Sequence, residues 1–203
     1  MRALIAVACL LLVAACGTGT TDSATDGGGA TKPDMPTEIP GADVSVVGLG
    51  TVIHQDAGPE LCLGPVAESY PPQCQGLPVK GWDWAEHRGD FDDAYGVRFG
   101  SFAVTGGFDG TTLTYQSAVP AELYDPMPWP EPTSSATEQH DAAELEAIGQ
   151  ELQRLPGALS TMTGDNLAVV DVVHDDGSLQ DWADATYGAG LVFVHSALAP
   201  AAG

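Results

Sequence analysis

The chain has 203 residues and is strongly acidic, with 28 Asp and Glu residues against 6 Lys and Arg and a formal net charge of −22. A negative field of this size repels phosphate backbones, which excludes nucleic acid as an expected partner. The length is sufficient for one or two small domains, each with its own hydrophobic core.

The N-terminus has the composition of an export signal. Arg2 precedes an unbroken apolar run over residues 3–14, and the run closes with the tetrapeptide Val13-Ala14-Ala15-Cys16. Crossing a bilayer takes roughly 20 apolar residues, so this run is too short for a spanning helix and has the length of a signal-peptide core. The tetrapeptide resembles the lipobox of bacterial lipoproteins, in which the cysteine sulfur receives a diacylglyceryl group before cleavage just ahead of it.

The lipobox resemblance implies a signal peptide over residues 1–15, a lipid on Cys16 and a position on the outer face of the cell membrane. An ordinary secretory signal with a chance cysteine is the alternative. Two or more acyl chains make a stable anchor, so the lipid bilayer is the first expected partner. Residues 16–41, which begin with the lipidated cysteine, are rich in Gly, Thr, Asp and Pro and are predicted to form a flexible tether.

Two cysteines remain for the exported body, Cys62 and Cys74. An even pair in an oxidising compartment predicts a disulfide. A metal-binding pair is the alternative, but the spacing is not that of a CxxC motif and no second Cys or His pair lies at zinc-finger spacing.

Residues 42–118 are predicted to form a small β domain. Five β-rich runs occupy residues 43–54, 60–63, 77–84, 98–108 and 111–116. Asp109-Gly110, between the last two runs, predicts a type I′ hairpin in which both central residues have positive φ. Five short strands favour a small β-barrel, of which an OB-like barrel is one form, because closure hides the sheet edges.

Residues 119–136 are proline-rich and predict a stiff connector. Residues 137–203 then alternate helix and strand: a helix that ends at Pro156-Gly157, a strand over 166–173, a short helix that ends at Gly188, and a strand over 191–195. This order predicts a split βαβ, ferredoxin-like domain, and the whole chain is expected to be of the α+β class.

Two segments of the body also resemble known sequences. Residues 62–76 (CysLeuGlyProValAlaGluSerTyrProProGlnCysGlnGly), followed by GlyTrpAspTrp at 81–84, are similar to a pattern in actinobacterial exported lipoproteins of unassigned function. The segment at 177–188 (GlySerLeuGlnAspTrpAlaAspAlaThrTyrGly) is similar to the same group. The resemblance covers most of residues 45–198 and implies an envelope location, with no activity or catalytic residue attached.

Two groups of residues could bind a divalent metal, and no other cofactor is expected. His87 lies close in sequence to Asp83, Asp90, Asp92 and Asp93; carboxylates suit Ca²⁺, and an added imidazole could admit Zn²⁺. The spacing is not that of an EF-hand, and a solvated acidic loop is the alternative.

The second group comprises His174 and His195, which end two predicted strands. If these strands pair, the imidazoles could approach each other, with Asp175 or Asp176 orienting one of them. Histidines that face solvent or bond to backbone are the alternative.

Aromatic residues form a third candidate site. Trp82, Trp84 and Tyr70, with Trp129 as a further member, could build a platform for a sugar or peptide. Core packing is the alternative, because Trp-x-Trp on a strand places both rings on one face. The tripeptide Arg88-Gly89-Asp90 matches an integrin motif, but a match of three residues is expected by chance.

The sequence contains no GxSxG elbow, no GxxxxGK[ST] loop and no HExxH helix. The leading prediction is therefore a non-enzymatic binding or interaction module of the cell envelope, whose partner is an envelope protein, a glycan or a small ligand. The alternatives are a metal-binding protein or metal-dependent hydrolase, and a structural assembly factor of an envelope complex.

Overall fold

The computed structural model describes residues 32–126 and 131–202, and residues 32–203 form one compact unit. The fold of the described residues is mixed, with ten β-strands, two α-helices and two 3₁₀ turns, which confirms the expectation of a mixed class rich in strands. The predicted signal peptide, Cys16 and Trp129 lie outside the described residues.

The larger sheet contains seven strands: β1 (Val46–Gln55), β2 (Gly58–Cys62), β3 (Leu77–Lys80), β4 (Asp92–Ala94), β5 (Val97–Phe108), β6 (Leu113–Pro120) and β10 (Leu198–Pro200). The smaller sheet contains β7 (Ala158–Gly164), β8 (Leu167–Val172) and β9 (Val192–Ser196). The α-helices are α1 (Ala142–Leu152) and α2 (Ser178–Tyr187), and the 3₁₀ turns span Trp84–His87 and Ala121–Leu123.

Five strands of the larger sheet form a closed ring of hydrogen-bonded pairs, in the order β1-β2-β3-β6-β5 and back to β1. The ring closes because β1 is long: it pairs with β5 from Val46 to His54, and its second half pairs with β2 from Thr51 to Gln55. The pair β3–β6 is parallel and the other pairs of the ring are antiparallel.

Inward-facing apolar residues fill the ring. Phe102 and Val104 are two residues apart on β5, so they lie on the same face of the strand, and both are fully buried. They meet residues from the other strands of the ring that are equally buried: Val52, Leu61, Val79 and Leu113. Burying one side chain of this size contributes about 1.5–3 kcal/mol, so this core is the main stabilising term for the ring.

The smaller sheet is built on a strand–helix–strand unit. β8 and β9 are parallel, α2 connects them, and the two helices bury Leu152, Leu179 and Trp182 against the sheet. The predicted strand, helix and strand are confirmed. The split arrangement is wrong, because β8 and β9 are direct neighbours and β7 pairs with the opposite edge of β8.

The first helix begins where the sequence provides a cap. The Asp141 carboxylate accepts hydrogen bonds from the amides of Ala143 and Glu144, both at 2.9 Å, and the Glu144 carboxylate accepts from the Asp141 amide at 3.1 Å. This capping box satisfies amides that have no partner within the helix. Removal of such a cap costs about 1 kcal/mol.

The last part of the predicted tether, residues 32–41, packs against the body together with Ala42; we call residues 32–42 the N-terminal strap. Lys32 forms an ion pair with Glu151 at 2.5 Å, and the Trp182 indole donates to the carbonyl of Pro33 at 3.3 Å. At its other end, the Ala42 amide donates to the carbonyl of Phe108 at 2.9 Å. The strap therefore contacts both α-helices and the ring.

The turn at Asp109-Gly110 differs from its prediction. Gly110 has φ of +94°, but Asp109 is not in the positive-φ region, so the turn is not type I′. The Asp109 carboxylate accepts hydrogen bonds from the amides of Thr111 and Thr112, which fixes a longer loop. These bonds lower the pKa of the carboxyl group, with the Thr111 amide as the largest cause.

Two-residue turns with positive φ at both positions occur elsewhere. Asp165-Asn166 joins β7 to β8, with φ of +50° and +57°, and Tyr95-Gly96 joins β4 to β5, with φ of +55° and +81°. Asn and Gly adopt this region at low cost, whereas an ordinary L-residue pays about 1–2 kcal/mol. Tyr95 is therefore an unusual choice for its turn.

Cys62 and Cys74 are bonded, with Cα atoms 6.1 Å apart, which confirms the predicted disulfide. The bond ties the end of β2 to the segment that leads into β3. Within the described residues, no helix has the length and apolar character needed to cross a membrane.

The close approach of β5 and β6 can be tested by substitution of two adjacent glycines. A Cβ on Gly106 would collide with the carbonyl oxygen of Thr114, whereas a Cβ on Gly107 meets nothing within 4 Å. We expect Gly106→Ala to lower the free energy of unfolding by about 1–3 kcal/mol, because the backbones must separate. The matched control, Gly107→Ala, should change it by less than about 0.5 kcal/mol. Urea denaturation followed by circular dichroism measures both, and equal effects would contradict the close approach.

Candidate functional site

Trp82 and Trp84 belong to an aromatic cluster beside the ring interior. The strand predicted over 77–84 ends at Lys80, and the two tryptophans lie in the following turn and 3₁₀ helix. Trp82 stacks on His87, with ring centroids 4.3 Å apart, and meets Phe102 edge-on at 5.1 Å. Only 5% of Trp84 is exposed. Its ring therefore packs in the core and does not form an open platform.

His87 lies in this cluster and not among the acidic residues that precede and follow it. It is 5% exposed, and its Nε2 is 3.3 Å from the Tyr115 hydroxyl group. Asp90, Asp92 and Asp93 are exposed, and Asp93 forms an ion pair with Arg98 at 3.3 Å. The structure thus does not bring the imidazole and these carboxylates together.

The two strand-end histidines have separate partners. His174 Nδ1 is 2.9 Å from the Pro40 carbonyl oxygen; since that oxygen only accepts, Nδ1 holds the proton. His195 Nδ1 is 2.7 Å from Asp171, its neighbour across the parallel strands, and Asp171 also accepts from Ser160.

The acids proposed to orient these histidines have other roles. Asp175 accepts from the amides of Gly177, Leu179 and Gln180 at the start of α2, and Asp176 accepts from the amide of Ser178. Across residues 32–126 and 131–202, no group of three or more His, Cys, Asp or Glu side chains is arranged to hold a metal ion. A metal site stays a prediction.

Three adjacent depressions surround the turn between β1 and β2, with volumes of about 400, 390 and 300 Å³. Gln55 lines all three. Their walls come from three chain segments: residues 53–60 around the β1–β2 turn, residues 71–76 of the disulfide segment, and residues 93–98 of the β4–β5 hairpin. We call this surface the loop face. The segments meet because His54 pairs with Arg98, which places both turns at the same end of the ring.

The polar groups of the loop face include both donors and acceptors. The Trp84 indole, which can only donate, lies 3.0 Å from His54 Nδ1, so the proton of His54 is on Nε2. His54 lines the smallest of the three depressions together with Asp56 and Asp93. The largest depression is lined by Glu60 and Gln75 beside the shared glutamine.

Two exposed tyrosines are next in sequence to residues that line the loop face. Tyr95 is 90% exposed at the tip of the β4–β5 hairpin, and Tyr70 is 64% exposed at the start of the disulfide segment. Tyr70 meets Phe99 edge-on, with centroids 5.5 Å apart, and this contact restricts its ring. Among the described residues of the predicted aromatic platform, Tyr70 is the member that the structure leaves open to solvent.

Gln55 and Tyr95 were not recognised as candidates from the sequence. Both lie at turns, where a polar or aromatic residue has no periodic pattern to mark it. The available signal for Tyr95 was the pair Tyr-Gly between two strands, since glycine there indicates positive φ.

The comparisons with known proteins do not add a site. No protein-family model matches the chain, and neither a curated protein nor a solved structure shows significant similarity to it. A function for the chain therefore rests on the chemistry of its own residues.

The contact between Tyr115 and Glu86 has a measurable consequence. Burial, and then the hydrogen bond that Tyr115 donates to the Glu86 carboxylate at 3.1 Å, raises the pKa of Tyr115 above its ordinary value. We expect Glu86→Gln to lower this pKa part of the way back, because the burial remains. NMR titration of ¹³C-labelled tyrosine, with Tyr115→Phe for assignment, measures it.

The matched control is Glu68→Gln, an exposed carboxylate elsewhere, which should leave the pKa of Tyr115 unchanged. Since folding raises this pKa, the folded state holds the proton more tightly than the unfolded state. The associated stability is present below the unfolded value of about 10 and is lost as pH rises above it. A Tyr115 pKa that is the same in wild type and Glu86→Gln would contradict this assignment.

Proposed function

We propose that the chain is a non-enzymatic binding module of the cell envelope, anchored to the outer face of the membrane, and that the loop face is its ligand surface. One observation supports this most strongly: three depressions whose walls come from three separate segments meet at Gln55, and two exposed tyrosines are sequence neighbours of their lining residues. Concave surfaces with a few convergent polar groups are the usual form of a ligand site.

We also propose that the ring is an OB-like barrel. Five strands close the ring, β1 pairs with both β2 and β5, and the pair β3–β6 is parallel. Barrels of this form bind oligonucleotides and oligosaccharides through one strand face and the adjoining loops. The net charge of −22 argues against the first of these ligands.

The anchor completes the proposal. The tetrapeptide that ends at Cys16 supports lipidation, and the acidic residues spread along the chain support a module that faces water rather than the anionic membrane surface. A module held in this way would bind its ligand close to the membrane.

Lipidation predicts a simple partition. In a bacterium that expresses the full chain, the wild-type protein should enter the detergent phase of a Triton X-114 separation, and its mass should include acyl groups. Cys16→Ser should move the protein to the aqueous phase, because one residue holds all of the lipid. The control, Cys9→Ser, should remain in the detergent phase. Recovery of wild type in the aqueous phase without added mass would contradict the anchor.

Hydrogen exchange can test whether the loop face binds a ligand before the class of that ligand is known. The full chain is mixed in turn with the polysaccharide, protein and lipid fractions of the envelope of its own organism. We expect one fraction to slow amide exchange in residues 55–58 and 93–98. Tyr95→Asn keeps a residue that tolerates positive φ but removes the ring, and we expect it to weaken this binding about tenfold, a loss of about 1.4 kcal/mol.

The matched control is Asp165→Asn, at the same type of turn in the β7–β8 hairpin, which should bind as wild type does. Protection only outside the loop face, in every fraction, would refute the proposed site.

A further inference from the structure

We infer that the ligand of the loop face is a neutral, hydroxyl-rich oligosaccharide that spans the three depressions, with Gln55 contacting its central unit. The inference rests on the proposed function and names the ligand class for the same surface. It is argued from the shape of the face, its hydrogen-bonding groups, its charge and its exposed rings.

The shape suits an oligomer rather than one compact molecule. Each depression measures about 300–400 Å³, at the lower end of the range of roughly 300–1,000 Å³ for small-molecule sites. The largest and the smallest share Gln55 and Asp56, and the other joins the largest through Gln55 and Cys74. Linked shallow depressions fit a chain of similar units, one unit to each.

The polar groups match hydroxyl groups. A carboxamide offers both donors and an acceptor, and a hydroxyl group likewise donates and accepts, so the two can pair in either direction. Gln75 lines the largest depression and Gln73 the second, while Gln55 lines all three. His54 adds an Nε2–H donor in the smallest, because its Nδ1 accepts from Trp84.

The charges favour a neutral ligand. Three carboxylates line the loop face, those of Asp56, Glu60 and Asp93. Asp93 is already paired with Arg98, and Glu60 accepts from the Gly76 amide at 3.2 Å, so two of the three have partners within the protein. An anionic ligand would meet these carboxylates and the net charge of −22. A cationic peptide would find two of these carboxylates already engaged, and Arg98 lines the same surface.

The exposed rings provide the apolar component of sugar binding. One face of a pyranose consists of C–H groups and packs against the face of an aromatic ring. Tyr95 is almost wholly solvent-exposed at a position where its backbone conformation is strained, so packing within the protein does not account for the choice of residue. Strain of this kind concentrates at functional positions.

The test uses the full-length protein in detergent and isothermal titration calorimetry. The neutral probes are disaccharides and hexasaccharides of glucose, mannose, arabinose and N-acetylglucosamine, and the neutral polysaccharide fraction of the envelope. The charged probes are an anionic hexasaccharide of galacturonic acid and a lysine-rich peptide. We expect at least one neutral probe to bind, with affinity that rises from the disaccharide to the hexasaccharide as successive depressions fill. Gln55→Ala and Tyr95→Asn should each weaken it about tenfold or more, whereas Asp165→Asn should not.

The outcomes separate the two proposals. The oligosaccharide proposal is overturned if only the anionic sugar or the peptide binds. It is also overturned if no neutral probe binds at millimolar concentration. If hydrogen exchange still shows a protein or lipid fraction protecting the loop face, the proposed function survives that result. If no probe binds and no envelope fraction slows amide exchange in the loop face, both the oligosaccharide proposal and the proposed function fail. Circular dichroism of each variant verifies that a loss of binding is not a loss of folding.

Discussion

The structure depends on the hydrogen bonding of one strand along both of its edges. One edge of β1 pairs with β5 over nearly its whole length, and the other edge pairs first with β10 and then with β2. The pairings of β1 with β2 and with β5 close the ring, and its pairing with β10 joins residues 198–200 to the ring. Without this doubly paired strand, the smaller sheet would have no backbone pairing to the ring, and the turn at Gln55 would not meet the hairpin at Tyr95.

Local patterns of the sequence predict several elements well. The β-rich runs before residue 118, the strand–helix–strand unit after residue 166 and the disulfide each follow from residues that are close together in the chain. Apolar alternation, glycine and proline breaks and the cysteine count are local signals. The mixed class follows from these elements.

The pairings that complete the fold are not local. β10 is a strand because it meets β1, some 150 residues earlier in the chain, and its own three residues contain no pattern that predicts this. β7 mixes small and polar residues, and its partner β8 determines its conformation. The Asp109 turn shows a different limit: the residue pair favoured type I′, but two hydrogen bonds to the Asp109 side chain stabilise another geometry. The loop face follows from the same long-range pairings, which is why the sequence singled out Tyr70, Cys74 and Asp93 separately and did not predict that their segments meet.

The N-terminal strap is held less firmly than the ring, and a force applied to the chain ahead of Lys32 reaches the strap first. A pull on the chain ahead of Lys32 would load the strap contacts one after another, and each is a single ion pair, hydrogen bond or apolar contact. The pairs between β1 and β5 lie along the direction of β1, so a pull along that strand would load many hydrogen bonds at once. The strap should therefore peel before the ring opens. Eleven released residues would add up to about 35–40 Å of reach while the loop face keeps its shape.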